Sequence, residues 1–577
     1  MPDHVFQINQ KHITSVFSLL LFVLIFGVQP SVAQVGYMKS FDQAAVVSAT
    51  QQASEAGIEI MQKGGNAVDA AVAVKFALAV TFPAAGNIGG GGFMVYRAAD
   101  GTSATLDFRE MAPAAAHRDM YLDENGEVID RLSTYGHLAS GVPGTVDGMI
   151  KALERFGSLP LDVVMEPAIR LARDGFHLSW REATALNRNR SRFAHFASSE
   201  KYFTKPVGEE FKEGELFKQV DLAKALERIA KYGRDGFYAG ETADLIVAEM
   251  QNNGGIFTHE DLQNYRSVWR TPLVVNYKDY ELLIMPPPSS GGIALGQMLK
   301  MVEPYDLPRL GYNTPETIHL LTEAMRRVYA DRAEYLGDPD FYEVPTSGLL
   351  SDAYNRKRMS TFRPGRANRS DEVSHGEPIA FMESDQTTHF SVVDAHGNAV
   401  AITTTLNGGY GSYVTIDGAG FLMNNEMDDF SIKPGFPNMF GLVGGEANAV
   451  EPGKRMLSSM TPTIVSQNGQ LRMVLGTPGG STIITTVFQV FLNVAEYGMN
   501  IQQAVAAPRI HHQWLPDELY FEPFMFNKHS RERLQWLGHT LNERAFYTGQ
   551  ANSLFVQTNG RIDSGVDPRG DNYAAGY

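Results

Sequence analysis

Two strand-like runs separated by a short turn, Thr388 to Asp394 and Ala399 to Leu406, sit past the middle of a chain of 577 residues. Apolar or alternating residues over such lengths argue for strands buried in a sheet. The polar stretch from Asn368 to Gln386, rich in Ser, Asp and Glu, reads as an exposed loop leading into the first of them. A threonine hydroxyl is a poor nucleophile while it keeps its proton, and an α-amine freed by cutting the chain in front of it can serve as its base. In Gln386-Thr387-Thr388-His389-Phe390-Ser391-Val392-Val393-Asp394, followed by Thr403-Thr404-Thr405-Leu406-Asn407, Thr387 is positioned to become such an N-terminus. On these residues alone an ordinary strand competes with that reading, because threonine is a strand former.

Elsewhere the apolar spacing predicts helices over Ala53 to Gln62 and Asn66 to Ala79, the second capped by Asn66 after the Gly64-Gly65 break. Strands are expected at Phe93 to Tyr96, Ala104 to Phe108, Thr463 to Gln467 and Leu471 to Leu475, and helices at Thr485 to Tyr497 and Ile501 to Ala507. Residues 140–340 read as mostly helical, with breaks at Pro143-Gly144, Gly157, Gly175 and Pro286 to Gly292. Helices and strands interspersed in both halves imply a layered α/β protein, and the length alone suggests two or more domains. There is no internal repeat.

The chain has no cysteine, which excludes disulfides, thiolate ligation and a lipid-modified cysteine anchor. An apolar run from Val16 to Val28, then Pro30 and the small-x-small site Ser31-Val32-Ala33, reads as a secretory signal over residues 1–33, leaving Gln34 first. The run is short of the ~20 residues that span a bilayer, so no stable membrane anchor is expected, and a periplasmic or secreted protein is. Removing one Lys and one Asp with that segment leaves the net charge at −16, a poor match for nucleic acid.

The segment around Thr387 resembles the γ-glutamyltransferase (γ-glutamyl transpeptidase) family, whose precursors cut themselves before the threonine of a T-T-H-x-S-V-V-D segment. Similar blocks run from about residue 40 to the C-terminus: Gly64 to Ala71, Gly89 to Phe93, Asp107 to Pro113, Pro286 to Gly292, Asn424 to Phe430, Leu457 to Met460 and Pro478 to Ser481. The resemblance implies a four-layer αββα sandwich of the N-terminal nucleophile hydrolase type. It also implies scission into residues 34–386 and 387–577, with both fragments forming a heterodimer around one core. Gln386 departs from the aspartate common before the threonine.

By that resemblance Thr387 is the nucleophile, Thr405 contacts its amine or hydroxyl, and Gly479 and Gly480 form the oxyanion site, where backbone N–H groups approach without side-chain obstruction. Arg109, Ser458 and Ser459 are expected to hold a substrate α-carboxylate, and Glu426, Asp429 and Asn407 its α-ammonium. Asn407 lies two residues beyond Thr405, which predicts one shared strand face. Residues Lys433 to Val450, marked by Pro434-Gly435, Pro437-Asn438 and Gly444-Gly445, read as an irregular lid, with Phe440 where bacterial relatives usually carry tyrosine.

The Gly89 to Gly92 run lacks the Lys and Ser/Thr of a phosphate loop, so no nucleotide site is expected. His511-His512 cannot share a helical face, which argues against a metal pair. No metal or organic cofactor is expected. The implied activity is transfer of the γ-glutamyl group of glutathione and related compounds to water or to amino acid and peptide acceptors. The alternatives are a glutaryl or cephalosporin acylase on the same scaffold and a non-catalytic periplasmic binding protein for γ-glutamyl peptides.

Overall fold

The expected central hairpin forms: Thr388–Val393 pairs antiparallel with Ala399–Thr405, Thr388 facing Thr404 and Val393 facing Ala399. The computed structural model describes residues 38–377, 388–433, 435–444, 446–544 and 546–577. The expected signal segment, the Gln386–Thr387 pair, and Pro434 and Gly445 of the expected lid lie outside the described residues.

The hairpin is the centre of a seven-stranded sheet. Its strands run in the order Tyr573–Gly576, Ala45–Ser48, Thr388–Val393, Ala399–Thr405, Gly91–Arg97, Ser103–Phe108, Val268–Arg270, every pairing antiparallel. A second antiparallel sheet of seven strands runs Ser40–Phe41, Ile562–Val566, Asn552–Val556, Gln470–Leu475, Thr463–Gln467, Tyr280–Ile284, Leu273–Tyr277. Both sheets therefore draw strands from before and after Thr387.

The two-residue period of a strand sends alternate side chains to opposite faces, and here both faces are used. Val47, Phe93, Val95, Val393 and Ala401 of the first sheet meet Leu283, Ile464, Val474 and Leu554 of the second in one buried cluster. Their neighbours Val46, Met94, Val392, Val400 and Ile402 turn outward onto a helical layer that includes Gln51–Gln62 and Ala67–Thr81. On the far side Leu282, Ile284, Val465, Met473 and Leu475 pack on Gly291–Val302, Pro315–Tyr335 and Thr482–Ala495. Helix, sheet, sheet, helix is the four-layer αββα arrangement.

The cap on Ala67–Thr81 forms as the sequence implies. Asn66 Oδ1 accepts from the Val68 and Asp69 amides at 2.8 and 3.2 Å, and Asp69 accepts from the Asn66 amide at 2.8 Å. Residues Met38–Tyr577 are one compact unit, because strands from both halves of the chain share each sheet and leave no boundary to cut. One expectation changes. The region read as mostly helical contains the hairpin Leu273–Tyr277 and Tyr280–Ile284, whose β-branched and aromatic residues fit a sheet edge. The stretch read as an exposed loop is irregular and mostly exposed where it is described, with Asn368, Ser370 and Val373 turned inward.

Candidate active site

The strand Ala399–Thr405 ends where Gly91 begins the next strand, and the glycines there are sterically required. A Cβ on Gly90 would lie 2.1 Å from the Thr405 carbonyl oxygen, and one on Gly91 would lie 2.7 Å from Glu110 Oε2. This close approach, rather than a phosphate cradle, accounts for the glycine run. Thr405 is fully buried, and its Oγ1 accepts from the Asn407 amide at 2.6 Å.

That bond corrects the expected strand face. Asn407 has φ +72° and lies beyond the strand end, so a left-handed turn, not strand periodicity, sets its direction. Its Nδ2 donates to the Asn425 carbonyl at 2.9 Å and lies 3.9 Å from Met439 Sδ, while its Oδ1 is buried with no acceptor role filled among the described residues.

Arg109 follows the strand Ser103–Phe108 and is fully buried. Its Nη1 is 2.6 Å from Glu426 Oε2 and 3.5 Å from Glu110 Oε2, its Nη2 pairs with Asp429, and its Nε and Nη2 donate to the carbonyls of Met456 and Leu457 at 3.1 and 3.0 Å. The Glu426 contact is an ion pair without hydrogen-bond alignment. Glu426 and Asp429 stand on one 3-10 turn, Glu426–Asp429, which Asn424 pins by donating to the carbonyls of Gly89 and Gly141 at 2.8 and 2.7 Å.

Burial opposes the charge on Arg109, and the facing Glu426, Asp429 and Glu110 carboxyls override it and hold the guanidinium protonated. Burial pushes the Glu426 carboxyl up to about 8 and the Glu110 carboxyl up to about 7, with Arg109 opposing both shifts. Burial thus favours the neutral form of both glutamates well beyond what an exposed carboxyl shows.

Ser458 and Ser459 lie beside this group but are held from elsewhere. The Ser458 carbonyl accepts from Ser290 N and Oγ at 2.7 and 2.9 Å, and Ser459 Oγ accepts from Arg332 Nη2 at 2.6 Å. Gly479 and Gly480 have φ +136° and +63° and directly precede Ser481, the N-cap of the helix Thr482–Ala495. Their amides donate to no acceptor among the described residues, which is the condition an oxyanion site requires. Thr388 is buried at the head of its strand, one residue after Thr387. His389 beside it is held neutral by burial, its ring pushed to about 3, and lies 2.9 Å from Thr403 Oγ1 and 3.0 Å from Ser391 Oγ.

The segment expected to form a lid touches this ground through an unexpected residue. Met439, not Phe440, reaches the side-chain amides of Asn407 and Asn425, while the Phe440 carbonyl accepts from Gln513 at 3.3 Å. Phe440 lines a cavity of about 450 Å³ with Gly479, Thr482, His511, Tyr520 and Phe546. Met439 lines a separate cavity of about 780 Å³ with Arg131, Arg192 and three tyrosines. The lid also has some regular structure, a 3-10 turn at Glu446–Asn448 and a bridge between Pro437 and Val443.

His511 and His512 turn to different partners, Thr485 and Gln513 for one, Asp517 for the other. Among the described residues His319, Glu323 and His539 have metal-like spacing, but the two rings are 2.8 Å apart, a hydrogen-bond distance, and Glu323 is engaged by Arg326 and Arg327. Sequence reasoning gave no role to Glu110, although it adjoins Arg109. Arg332 and Met439 carried no local signal.

The sequence matches the family described as Gamma-glutamyltranspeptidase over residues 53–577. The chain belongs to the gamma-glutamyltranspeptidase family. This member is 47% identical over 536 residues to the glutathione hydrolase proenzyme of Escherichia coli K12, covering 93% of this chain and 92% of that one. Among solved structures, the cephalosporin acylase of Bacillus halodurans aligns with TM-score 0.83 at 26% identity, over 94% of this chain and 97% of the acylase. The gamma-glutamyltranspeptidase of Helicobacter pylori aligns with TM-score 0.56 at 48% identity, over 57% of this chain and 94% of that chain.

Proposed function

We propose that this family member is a self-processing γ-glutamyltransferase that also hydrolyses glutathione and related γ-glutamyl amides. The observation that carries this reading is the buried group in which Arg109 lies between Glu426 and Asp429. A γ-glutamyl donor presents an α-carboxylate and an α-ammonium at the end remote from its scissile amide. Guanidinium and carboxylates are the complementary set, so binding exchanges internal ion pairs for pairs with substrate. Ser458 and Ser459 add hydroxyls on the carboxylate side, and the buried Asn407 Oδ1 adds an acceptor for the ammonium. A glutaryl group has no ammonium and leaves that half unused, and the identity to named glutathione hydrolases supports the γ-glutamyl reading over the acylase one.

In processing, Thr387 Oγ attacks the Gln386 carbonyl, the C–N bond breaks as the ester forms, and the departing nitrogen takes the hydroxyl proton. Water then opens the ester, leaving a carboxyl on Gln386 and restoring the hydroxyl. The freed α-amine, with a reference pKa of ~7.7–8.0, takes the Thr387 proton when Oγ attacks the γ-amide, and passes it to the leaving amine. The Gly479 and Gly480 amides stabilise the oxyanion. Water or an acceptor amine then resolves the acyl-enzyme. The fragments 34–386 and 387–577 remain a heterodimer because each sheet draws strands from both. The signal layout of residues 1–33 supports a periplasmic or secreted location, and among the described residues no helix is long and apolar enough to cross a membrane.

The test is a comparison of γ-glutamyl and glutaryl anilides on the purified enzyme. A strong γ-glutamyl preference is expected, and a glutaryl preference would transfer the assignment to the acylase class.

A further inference from the structure

The cavity of about 780 Å³ that Met439 lines has no part in the chemistry above, and its walls carry charge of one sign. Arg131 and Arg192 line it, and no Asp or Glu does. Among the described residues neither guanidinium has a carboxylate partner, and each is set against a tyrosine instead. Arg131 Cζ lies 4.5 Å from the Tyr135 ring centre and Arg192 Cζ 5.4 Å from that of Tyr413, and the two rings are 5.7 Å apart. Such contacts hold a guanidinium while leaving most of its N–H donors free. Arg192 gives one, from Nη1 to the Tyr413 hydroxyl at 2.8 Å, and that hydroxyl donates to Asn189 Oδ1 at 2.8 Å. Asp428, the acid that accepts from the Met439 amide at 3.0 Å, is not among the lining residues and also accepts from Ser133 Oγ at 2.7 Å.

The turn after Asn407 forms another part of the wall. Gly408 and Gly409 line the cavity, and the Gly409 amide reaches no acceptor among the described residues. Arg131, Tyr410 and Tyr413, all lining residues, have φ of +59°, +68° and +61°. That conformation is uncommon for large side chains and gathers where a ligand is held. Asn425 and Met439 line the cavity and also contact Asn407, so the cavity adjoins the group proposed to read the substrate ammonium. Consecutive Cα atoms are ~3.8 Å apart, which puts Gly409 within ~7.6 Å of Asn407, and two extended peptide residues span ~7 Å.

We infer that this cavity is an anion subsite for the terminal carboxylate of a peptide, carried either by the donor beyond its γ-amide or by an acceptor, an inference that rests on the γ-glutamyl reading above. Two guanidiniums facing one space repel each other, and a carboxylate between them relieves that repulsion while gaining charge-assisted hydrogen bonds. On a chain with a net charge of −16, a wall whose charged residues are arginines gives an anionic peptide a local target.

The test is steady-state kinetics on the purified enzyme carrying Arg131→Gln and Arg192→Gln together. Both positions are exposed, so the double variant is expected to fold as the parent does, and each single variant answers the question with a smaller effect if it does not. Three reactions separate the sources of the carboxylate: hydrolysis of γ-glutamyl para-nitroanilide, whose leaving group has none; hydrolysis of glutathione, which has one; and transfer from the anilide to glycylglycine or to glycylglycinamide. The kcat/KM for anilide hydrolysis is expected to stay parental. A fall of about three- to tenfold in kcat/KM for glutathione supports the donor's carboxylate as occupant, and a rise of similar size in KM for glycylglycine but not for its amide supports the acceptor's. Parental values for both glutathione and glycylglycine overturn the subsite, as do equal losses on glycylglycine and its amide or a matching loss on the anilide. If the parent itself cleaves no γ-glutamyl anilide, the γ-glutamyl reading fails instead.

Discussion

Arg109 Nη1 and Glu426 Oε2 lie 2.6 Å apart with both side chains fully buried, and Glu426 is nonetheless pushed up to about 8. Desolvation outweighs the guanidinium, and the nearby Glu110 charge adds to the upward push. Below its ordinary value of 4.5 Glu426 is protonated folded or unfolded. As the pH rises from there to about 8 the unfolded chain gives up this proton first, so the group's contribution to stability falls through that window and is level above it. Glu426→Gln is expected to flatten that slope, its melting temperature gaining roughly 2–5 °C on the parent between acid and mild alkali. Parallel melting curves for parent and variant across the range would contradict the shift.

Asp429 stands on the same 3-10 turn, and in the proposed function it pairs with the substrate α-ammonium. Truncating one partner of a buried charge pair costs ~2–5 kcal/mol, or roughly thirty-fold to several-thousand-fold in kcat/KM. Asp429→Ala is expected to lose this on γ-glutamyl anilide and little on glutaryl anilide, while still dividing before Thr387. Equal losses on both substrates would make Asp429 a residue of the fold rather than a reader of the ammonium.

In the segment proposed as a lid, it is Met439 whose Sδ lies 3.9 Å from Asn407 Nδ2. Met439→Ala is expected to raise KM for the γ-glutamyl donor or shift the ratio of transfer to hydrolysis by more than Phe440→Tyr does. The reverse order in steady-state kinetics would return the contact to position 440.

Gly479→Ala places a Cβ 2.6 Å from Thr482 Oγ1 and 3.0 Å from the Gly549 Cα, at φ +136°. The turn must shift and its amide move off aim, so kcat is expected to fall by about a hundredfold, within the range for one lost oxyanion donor. An unchanged kcat in a variant with a parental circular dichroism spectrum would remove this amide from the oxyanion site.

The central hairpin, the Asn66 cap and the helix breaks were legible because each is local: alternation, a capping side chain or a glycine fixes the chain within a few residues. The block residues of the site were legible through resemblance, not pattern. Asn407 was misread because its direction depends on a positive φ that no two-residue period reveals. Arg332 gave no signal because the helix Pro315–Tyr335 is buried on nearly every side, so burial does not single it out. The strands Leu273–Tyr277 and Tyr280–Ile284 were lost inside a long helical stretch, since a short hairpin at a sheet edge is specified by the partner strand Thr463–Gln467, far away in sequence.

The central claim is a Thr387 nucleophile made by self-cleavage, and intact mass with N-terminal sequencing of parent and Thr387→Ala tests it most directly. The account predicts that the parent divides into two chains, the smaller beginning at Thr387, and that the alanine variant stays whole and inactive on γ-glutamyl anilide. An undivided parent with full activity, or an alanine variant that still splits between residues 386 and 387 without added protease, would contradict it.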